Sequence, residues 1–419
     1  MLHPQVISAH TAKIESRLHL ELREHSPAEV ESWCARLQPV IVEMRGQGLK
    51  RARKQTRAWT PEERTFIRNE LLLCKLSYSY FASRYLRINR DGQTLGPLYP
   101  LLESQSFLLS RMADLELQSF TGERQDGVLV YALKSARQVG ISTFAESLIC
   151  HRAALQNHLQ GLIASHVEGE EGSAYLFGIL ERMLQYLPLW MRPQVVSHQK
   201  DQDIEFDGGS HVWVGSGKSM TGTAGQRGQI GRGRTLPLQH LSELSTWEYP
   251  DQIDSALLPA TPRTWRTFAV YESTAKGRNN WWHKNWRLAR KGIGRFIPIF
   301  IPWYVESGKY SLRPPEGWIA RSSTLAHARK CEETSHLWCG KTISLTRGQL
   351  YWYETTRETY EAQDKLSIFL EEFGSADDEE CFQFVGTSIF PTAVLQRIED
   401  NMRPLAAVGE VGPRMEMSG

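Results

Sequence analysis

The chain has 419 residues, of which 41% are hydrophobic and 23% charged, and these proportions exclude a disordered or fibrous protein. The 49 Lys and Arg residues against 47 Asp and Glu residues give a net charge of +2, so overall charge indicates no polyanionic partner. No apolar run has the length of a membrane span, and the first residues lack the pattern of a secretory signal, so we expect neither. The six cysteines form no CxxC pair and are expected to be reduced thiols.

The N-terminal segments have the sequence pattern of helices. Ser26-Pro27-Ala28-Glu29 is a capping box that predicts a helix running toward Met44. Thr60-Pro61-Glu62-Glu63 predicts a second helix that extends to about Leu86. Between them lies the basic run Lys50 to Arg57, which is a candidate for binding DNA or a protein partner, or is a solvated linker.

From residue 127 onward, strand-like and helix-like segments alternate. Alternation of this kind is typical of an α/β core with a mainly parallel sheet. The segments are a strand at Gly127 to Leu133, a helix at about Ile141 to Leu155, a strand at Leu159 to Ala164, a helix at about Gly172 to Leu187, a hairpin at Ile204 to Val214 around Asp207-Gly208-Gly209, strands at Thr235 to Leu241 and Thr267 to Tyr271, and a helix at Leu345 to Gln363.

The turn after the first of these strands is a candidate phosphate-binding loop. Compared with the pattern G-x-x-x-x-G-K-[ST], Ser135 replaces the first glycine, Gly140 fits, and Ile141 replaces the lysine. Ser142 then provides the hydroxyl that would ligate magnesium. Lys134 or Arg137 could supply the missing cation from the other end of the loop. An ordinary strand-to-helix turn is the alternative for these residues alone.

Two later strands end in polar residues. The run at Thr235 to Leu241 leads to Ser242 and Glu243, where a Walker B strand carries a metal-side carboxylate and a carboxylate that polarises water. The strand at Phe268 to Tyr271 leads to Glu272-Ser273-Thr274, at the edge where open α/β sheets place ligands. A strand that merely ends in a solvated Glu remains the alternative at Glu243.

The order of four segments resembles the ATPase domain of phage large terminase subunits, the DNA-packaging motors of tailed phages. These segments are Ser135 to Phe144, Gly231 to Thr235, His240 to Glu243 and Glu272 to Gly277, and the resemblance covers roughly residues 81–391. It includes a downstream helix beginning near Leu345 and the run Phe382 to Pro391, which are similar to the lid and linker of that family. The resemblance implies a P-loop NTPase core of the ASCE or RecA-like type, with a mainly parallel sheet.

The resemblance also implies roles for individual residues, in four groups. Glu243 would be the catalytic carboxylate, with Arg137 or Lys134 as the loop cation and Arg232 as the arginine acting on a neighbouring subunit, for which Arg234 and Arg227 are alternatives. Magnesium would be held by Ser142 or Thr143 and, through water, by Ser242. The coupling motif would be Ser273, Thr274 and Ala275. The ATP-binding set would be Lys134, Ser135, Ala136, Arg137, Gln138, Val139, Gly140, Ile141, Ser142, Thr143 and, near the adenine, Gln105.

On this reading the chain hydrolyses ATP with Mg²⁺ to move double-stranded DNA into a procapsid. The implied partners are DNA, the portal protein, the small terminase subunit and further copies in a ring, commonly of five subunits, and the implied location is the host cytoplasm and the portal vertex. The implied regions are a helical N-terminal region (1–60), the ATPase domain (61–320), a lid and linker subdomain (321–395) and a tail (396–419). The tail has no strand ending in Asp, so we expect no nuclease activity from this chain.

Two other functions remain open. A nucleotide-binding assembly scaffold without turnover would explain Ile141 and Ser242 at positions where Lys and Asp are usual. A helicase-like DNA-dependent ATPase would use the same core, but would need a second motor domain that the residues after Lys276 do not supply.

The segment from Lys276 to Arg295 is a candidate DNA-binding surface. It carries seven basic residues and no acidic one, interleaved with three tryptophans, and we select Lys276, Arg278, Lys284 and Arg287 as candidate contacts. The alternative is a helix whose tryptophans pack on the sheet while its charges are solvated.

Overall fold

The structure is a computed structural model that describes residues 1–43, 53–90, 94–167, 169–217, 233–376 and 378–383. The N-terminal elements are α1 (Pro4–Leu18), α2 (Pro27–Leu37), β1 (Ile41–Glu43), β2 (Arg53–Gln55), α3 (Pro61–Leu76), α4 (Tyr78–Tyr85), β3 (Arg87–Arg90) and β4 (Thr94–Pro97). The central elements are α5 (Glu103–Thr121), β5 (Val128–Lys134), α6 (Ile141–Leu155), β6 (Gln160–Ser165), α7 (Ser173–Tyr186), β7 (Val195–Gln199), β8 (Asp203–Phe206), β9 (His211–Ser216), β10 (Leu238–Ser242), α8 (Leu258–Ala260), β11 (Phe268–Ser273), α9 (Trp281–Arg290) and β12 (Ile297–Ile301). The C-terminal helices are α10 (Ser322–Cys339), α11 (Arg347–Glu361) and α12 (Leu366–Phe373).

Eight strands form the central sheet, in the order β12-β5-β11-β10-β6-β9-β8-β7. The strands from β12 to β9 run parallel, and β8 and β7 complete the sheet in antiparallel pairing. This arrangement confirms the predicted α/β core with a mainly parallel sheet, and β8 and β9 form the predicted hairpin. The order places β11 between β5 and β10, so the ends of these three strands meet at one edge.

Both faces of the sheet are covered. Every residue of β5, β10 and β11 is buried, as expected for parallel strands between two layers of helices. Alternate residues of β5 join different clusters, since side chains on a strand point to opposite faces. Val130 packs with Phe144 of α6 on one face, and Tyr131 packs with Trp282 of α9 on the other.

The capping boxes predicted the starts of two helices, but not their ends. Ser26 caps α2 and Thr60 caps α3, each with the reciprocal Glu contact. α2 ends at Leu37 instead of continuing toward Met44, because Pro39 lacks a backbone N–H and cannot continue the helix. The single helix expected to reach Leu86 divides at Ser77, whose extended backbone ends α3 and whose hydroxyl caps α4.

Strands also occur where the sequence predicted none. β1 pairs with β2 and β3 pairs with β4 in two short antiparallel ladders ahead of the main sheet. β2 contains part of the basic run, so that part is a strand and not a linker, while residues 50–52 lie outside the described part of the chain. The edge strand β12 was also missed; it contains Pro298, which an edge position tolerates.

The C-terminal helices pack together through aromatic side chains, and the described chain then returns to α9. Tyr353 of α11 stacks on His327 of α10 with ring centroids 4.2 Å apart. Asp378 is fully buried, accepts a hydrogen bond of 2.6 Å from Trp286 Nε1 and pairs with Arg290. Asp378 is thus buried, although it belongs to an acidic run of the sequence from Asp377 to Glu380. No helix in the described residues has the length and apolar character needed to cross a membrane.

Candidate functional site

The candidate phosphate loop, residues 135–140, joins β5 to α6 and is held from several sides. Gly140 has a φ of +72°, a conformation that favours glycine, and a Cβ there would displace the end of the Gln105 side chain, whose Nε2 would lie 2.6 Å away. Gln105 donates a hydrogen bond of 2.8 Å to the Gly140 carbonyl. Ser135 Oγ accepts a hydrogen bond of 2.9 Å from the backbone N–H of Trp303. The predicted strand–turn–helix context is therefore present, and Gln105 lies against the loop itself.

The interior of the loop is apolar. Ala136, Val139 and Ile141 are all buried in the core shared with α6. At the position where the general pattern has a lysine, this chain has a buried hydrocarbon side chain. Any side-chain cation that contacts phosphates at this loop must therefore come from a position other than 141.

Lys134, the last residue of β5, places its ammonium group between two carboxylates. Its Nζ lies 3.0 Å from Glu243 Oε1 and 2.5 Å from Glu272 Oε2. Burial disfavours the ammonium form, but the charges of Glu272 and Glu243 outweigh it, so the pKa of Lys134 is raised. The candidate loop cation and the candidate catalytic carboxylate are thus in direct contact.

Glu272 is the carboxylate at the centre of the site. It is fully buried, and its Oε1 accepts hydrogen bonds from Ser142 Oγ at 2.6 Å and from Ser242 Oγ at 2.8 Å. Burial alone would raise its pKa, but Lys134 and His240 hold the pKa of Glu272 well below its usual range. Sequence reasoning noted Glu272 only as the end of a strand. The strand order is what brings it between the two serines.

A second buried pair supports Glu272 from within the sheet. His240 Nδ1 lies 2.6 Å from Glu146 Oε1, and His240 Nε2 lies 3.6 Å from Glu272 Oε1. Burial would lower the pKa of His240, but the hydrogen bond with Glu146 and the charges of Glu146 and Glu272 raise it to about 9. Sequence analysis missed this pair, because Glu146 of α6 and His240 of β10 are brought together only by packing across the sheet.

Glu243 occupies a different environment from Glu272. It follows β10 with a left-handed φ of +57°, and its side chain is 31% exposed, whereas that of Glu272 is 0% exposed. The Trp247 indole donates a hydrogen bond of 3.0 Å to the Ser242 carbonyl and helps to fix this bend. One carboxylate of the site is therefore open to solvent while the other is enclosed.

The segment proposed for coupling lies directly beside Glu243. Ser273 Oγ accepts a hydrogen bond of 3.0 Å from the Ser245 backbone N–H and donates one of 2.8 Å to Ser245 Oγ. Thr274 and Ala275 are buried. The end of β11 is thus attached to the turn that carries Glu243.

The C-terminal helix α12 contacts the outer side of the site. Arg137 Nε and Nη2 donate hydrogen bonds of 2.9 and 2.8 Å to Glu372. The neighbouring Glu371 accepts a hydrogen bond of 2.7 Å from the backbone N–H of Gly277. Lys309 donates a hydrogen bond of 2.8 Å to the Gln138 carbonyl. Arg137 therefore faces α12, whereas Lys134 faces the carboxylates.

Arg232 and its alternative Arg227 lie outside the described residues. The other alternative, Arg234, is exposed and lies over the Trp213 ring, with its guanidinium carbon 4.0 Å from the ring centroid. Thr143, the alternative magnesium ligand, is partly buried on the first turn of α6.

The basic segment divides into buried tryptophans and exposed cations. Trp282 and Trp286 are fully buried, as in the alternative that packs them on the sheet. Lys276, Lys284 and Arg287 are exposed, but Arg287 Nε lies 3.8 Å from Glu379 Oε1. Arg278 donates a hydrogen bond of 2.6 Å to the Phe382 carbonyl. Part of the basic character is therefore offset by the segment 378–383.

The donor set suits a magnesium ion that arrives with phosphates. Among the described residues, no three His, Cys, Asp or Glu side chains form a metal site by themselves. The serine hydroxyls and carboxylates around Glu272 are hard oxygen donors, and Mg²⁺ is usually bound by few protein ligands together with water and substrate phosphates. Ser142 is the residue that would hold the ion.

The chain matches no protein-family model and no curated protein. Its structure is similar to that of the HK97 bacteriophage large terminase (14% identity, 69% of this chain and 53% of that chain, TM-score 0.40). It is also similar to the large terminase of a thermophilic bacteriophage (13%, 55% and 50%, 0.36) and to the Thermus phage P74-26 large terminase ATPase domain (15%, 63% and 92%, 0.35). The match spans about half the length of the first two of these proteins.

The sheet, the loop and the buried carboxylates together define an α/β fold with a mainly parallel sheet, in which the candidate loop joins β5 to α6 at the edge that carries the carboxylates.

Proposed function

We propose that this chain is the ATPase part of a phage large terminase, which hydrolyses ATP to move double-stranded DNA into a procapsid. The observation that carries the proposal is the meeting of Lys134, Glu243, Glu272 and Ser142 at the end of the loop that precedes α6. A cation, an exposed carboxylate and a hydroxyl at a helix N-terminus are the groups that phosphoryl transfer to water requires.

Each group has a distinct part in the proposed reaction. The backbone N–H groups of the loop and the start of α6 bind the phosphates, because a helix N-terminus favours anions. Lys134 or Arg137 neutralises phosphate oxygens, and Ser142 holds Mg²⁺, which would offset charge on the transferred phosphoryl group. Glu243 accepts a hydrogen bond from the attacking water and orients it, and its partial exposure gives water access.

The partners belong to the same proposal. Arg232 of one subunit would stabilise charge developing on the nucleotide of its neighbour, so a ring, commonly of five subunits, is required for full activity. Ser273, Thr274 and Ala275 would transmit the change at Glu243 to DNA held by Lys276, Arg278, Lys284 and Arg287. The protein would act in the host cytoplasm and at the portal vertex, together with the portal protein and the small terminase subunit.

A scaffold that binds nucleotide without turnover is the second candidate. The observation that favours it is the contact of Lys134 with both carboxylates, which leaves Glu243 paired with a cation. Measurements of ATP binding and phosphate release, made on the unmodified chain and on Glu243→Gln, distinguish the two candidate functions. If the chain is a motor, Glu243→Gln should bind ATP but lose turnover. If both proteins bind ATP equally and neither shows turnover, even on portal-bound rings, the scaffold function is favoured.

A further inference from the structure

The position of a Walker B metal-side carboxylate is occupied here by Ser242, which cannot supply a negative charge. Its hydroxyl donates a hydrogen bond of 2.8 Å to Glu272 Oε1. The hydroxyl of Ser142, on the first turn of α6, donates a hydrogen bond of 2.6 Å to the same oxygen. One carboxylate oxygen therefore accepts the protons of both hydroxyls at the site.

The register of the sheet explains how Glu272 reaches this place. Glu272 of β11 pairs with Ser242 of β10 in the parallel ladder and with Ala132 of β5 on its other side. β11 lies between β5, which leads into the loop, and β10, which leads to Glu243. The side chain of Glu272 therefore lies next to the ends of both neighbouring strands. A carboxylate from β11 thus reaches the hydroxyl at position 242, where a Walker B strand carries its metal-side carboxylate.

The direction of these hydrogen bonds matters for a cation. A serine hydroxyl has one proton and two lone pairs, so a hydroxyl whose proton is held by Glu272 presents lone pairs to its other side. Groups that orient a metal ligand in this way contribute strongly to metal affinity. The other oxygen of Glu272 lies 2.5 Å from Lys134 Nζ, so the same side chain also fixes the candidate loop cation.

We propose that Glu272 replaces the missing Walker B carboxylate: it holds the protons of Ser142 and Ser242, so that the Ser142 lone pairs face a Mg²⁺ ion bound with the nucleotide. Glu272 is then a positioning residue, while Glu243, which contacts Lys134 at 3.0 Å, remains available for water. This inference rests on the proposed function, since it presupposes a Mg-nucleotide.

The test compares binding of a non-hydrolysable ATP analogue in excess Mg²⁺ and in EDTA, for the chain and for Glu272→Gln. The Mg²⁺-dependent gain is the ratio of the affinity for the analogue in Mg²⁺ to its affinity in EDTA. We expect this gain to fall about 10–100-fold in the variant, as it does for other residues that orient metal ligands. The affinity in EDTA should be largely kept. Glu70→Gln is the matched control, because it also neutralises a fully buried glutamate, but one that contacts Tyr80 and Tyr85 and none of the groups around Glu272. Its Mg²⁺-dependent gain should equal that of the unmodified chain.

The decisive variant removes the carboxylate at position 272 and places one at position 242, where a Walker B strand usually carries it. Ser242→Asp combined with Glu272→Gln should recover most of the Mg²⁺-dependent gain, which a merely structural role for Glu272 would not predict. This double variant also decides the matter if Glu272→Gln alone does not fold. A Glu272→Gln protein with an unchanged Mg²⁺-dependent gain, or a folded double variant without recovery, overturns the inference while leaving the ATPase proposal intact. A chain that binds no ATP analogue at all overturns both.

Discussion

At the scale of single residues, the site depends on charges held out of water. Lys134 is 8% exposed, and Glu272 beside it is fully buried. Removing one partner of such a pair leaves an uncompensated buried charge, whereas removing both does not. The stability of the site is therefore a property of the pair.

Lys134→Met is expected to lower the free energy of unfolding by about 3–5 kcal/mol, because Glu272 loses its cation. The double variant Lys134→Met with Glu272→Gln should regain most of that loss. Arg137→Met serves as the exposed control, since Arg137 pairs with Glu372 at the surface and the loss should be about 0–1 kcal/mol. Denaturant unfolding measures all three, and an equal loss for Lys134→Met and Arg137→Met would contradict the account.

His151 makes stability depend on pH away from the site. Burial holds the pKa of His151 well below the ordinary value of 6.5, and its Nε2 lies 2.7 Å from the Cys74 carbonyl. Arg152 adds to the same lowering, and the Tyr78 ring packs against the imidazole. The neutral imidazole therefore donates its proton to that carbonyl, and a second proton would place an unpaired charge in the core.

The sign of the effect follows from proton counting. Below about pH 6.5 the unfolded chain binds a proton at His151 that the folded chain does not, so stability falls as pH decreases. We expect the acid loss of stability to be smaller in His151→Gln, whose amide can still donate to Cys74. His336→Gln, at an exposed position, is the control and should follow the unmodified chain. Thermal unfolding between pH 7.5 and 5 provides the comparison, and identical pH profiles for the chain and His151→Gln would contradict the assignment.

At the scale of elements, α9 carries buried core residues and exposed cations on one helix. Trp286 is fully buried and donates a hydrogen bond to Asp378, whereas Lys284 is exposed on the same helix. Trp286→Ala should destabilise the fold by about 3–5 kcal/mol, as large-to-small changes of core aromatics do. Lys284→Ala should change stability by less than about 0.5 kcal/mol.

If α9 contacts DNA, Lys284→Ala should also lower the dependence of DNA affinity on salt by about one unit of slope. The measurement is the affinity for duplex DNA over a series of salt concentrations. Lys330→Ala, in the exposed part of α10, is the matched control and should keep the slope. Equal slopes for all three proteins would exclude Lys284 from the DNA contact.

Element by element, local chemistry made the helix starts and the central strands predictable. The caps at Ser26 and Thr60 depend on neighbours in sequence, and the predicted helix after Gly140 has the bounds that the structure gives. The ends were harder: Pro39 stops α2, and β12 was missed because Pro298 is tolerated only where a strand lies at an edge.

The candidate site was predictable only in part, because some of its contacts depend on which elements are neighbours in the fold. Lys134, Ser142 and Glu243 were selected because each occupies a recognisable place in a motif, and the structure places all three side chains in one contact network. The central position of Glu272 and the pair of His240 with Glu146 depend on which strands are neighbours and on which helix covers them. No spacing in the sequence encodes those distances directly.

At the scale of the whole molecule, the sheet edge joins the N-terminal, central and C-terminal parts. α5 supports the phosphate loop through Gln105, and α12 contacts the same loop through Glu372 and the residues after β11 through Glu371. The candidate phosphate loop and α12 are therefore physically connected. A motor needs such a connection, whereas a passive nucleotide binder does not.

The most direct test of the central claim is phosphate release from Mg-ATP, measured with and without double-stranded DNA on portal-bound rings. The account predicts turnover that rises when DNA is present and is lost in Glu243→Gln, although the variant still binds ATP. Glu205→Gln, at a partly exposed position on β8 away from the site, is the matched carboxylate control and should retain turnover. Rings that bind ATP but release no phosphate with or without DNA would contradict the assignment of this chain as a DNA-packaging ATPase.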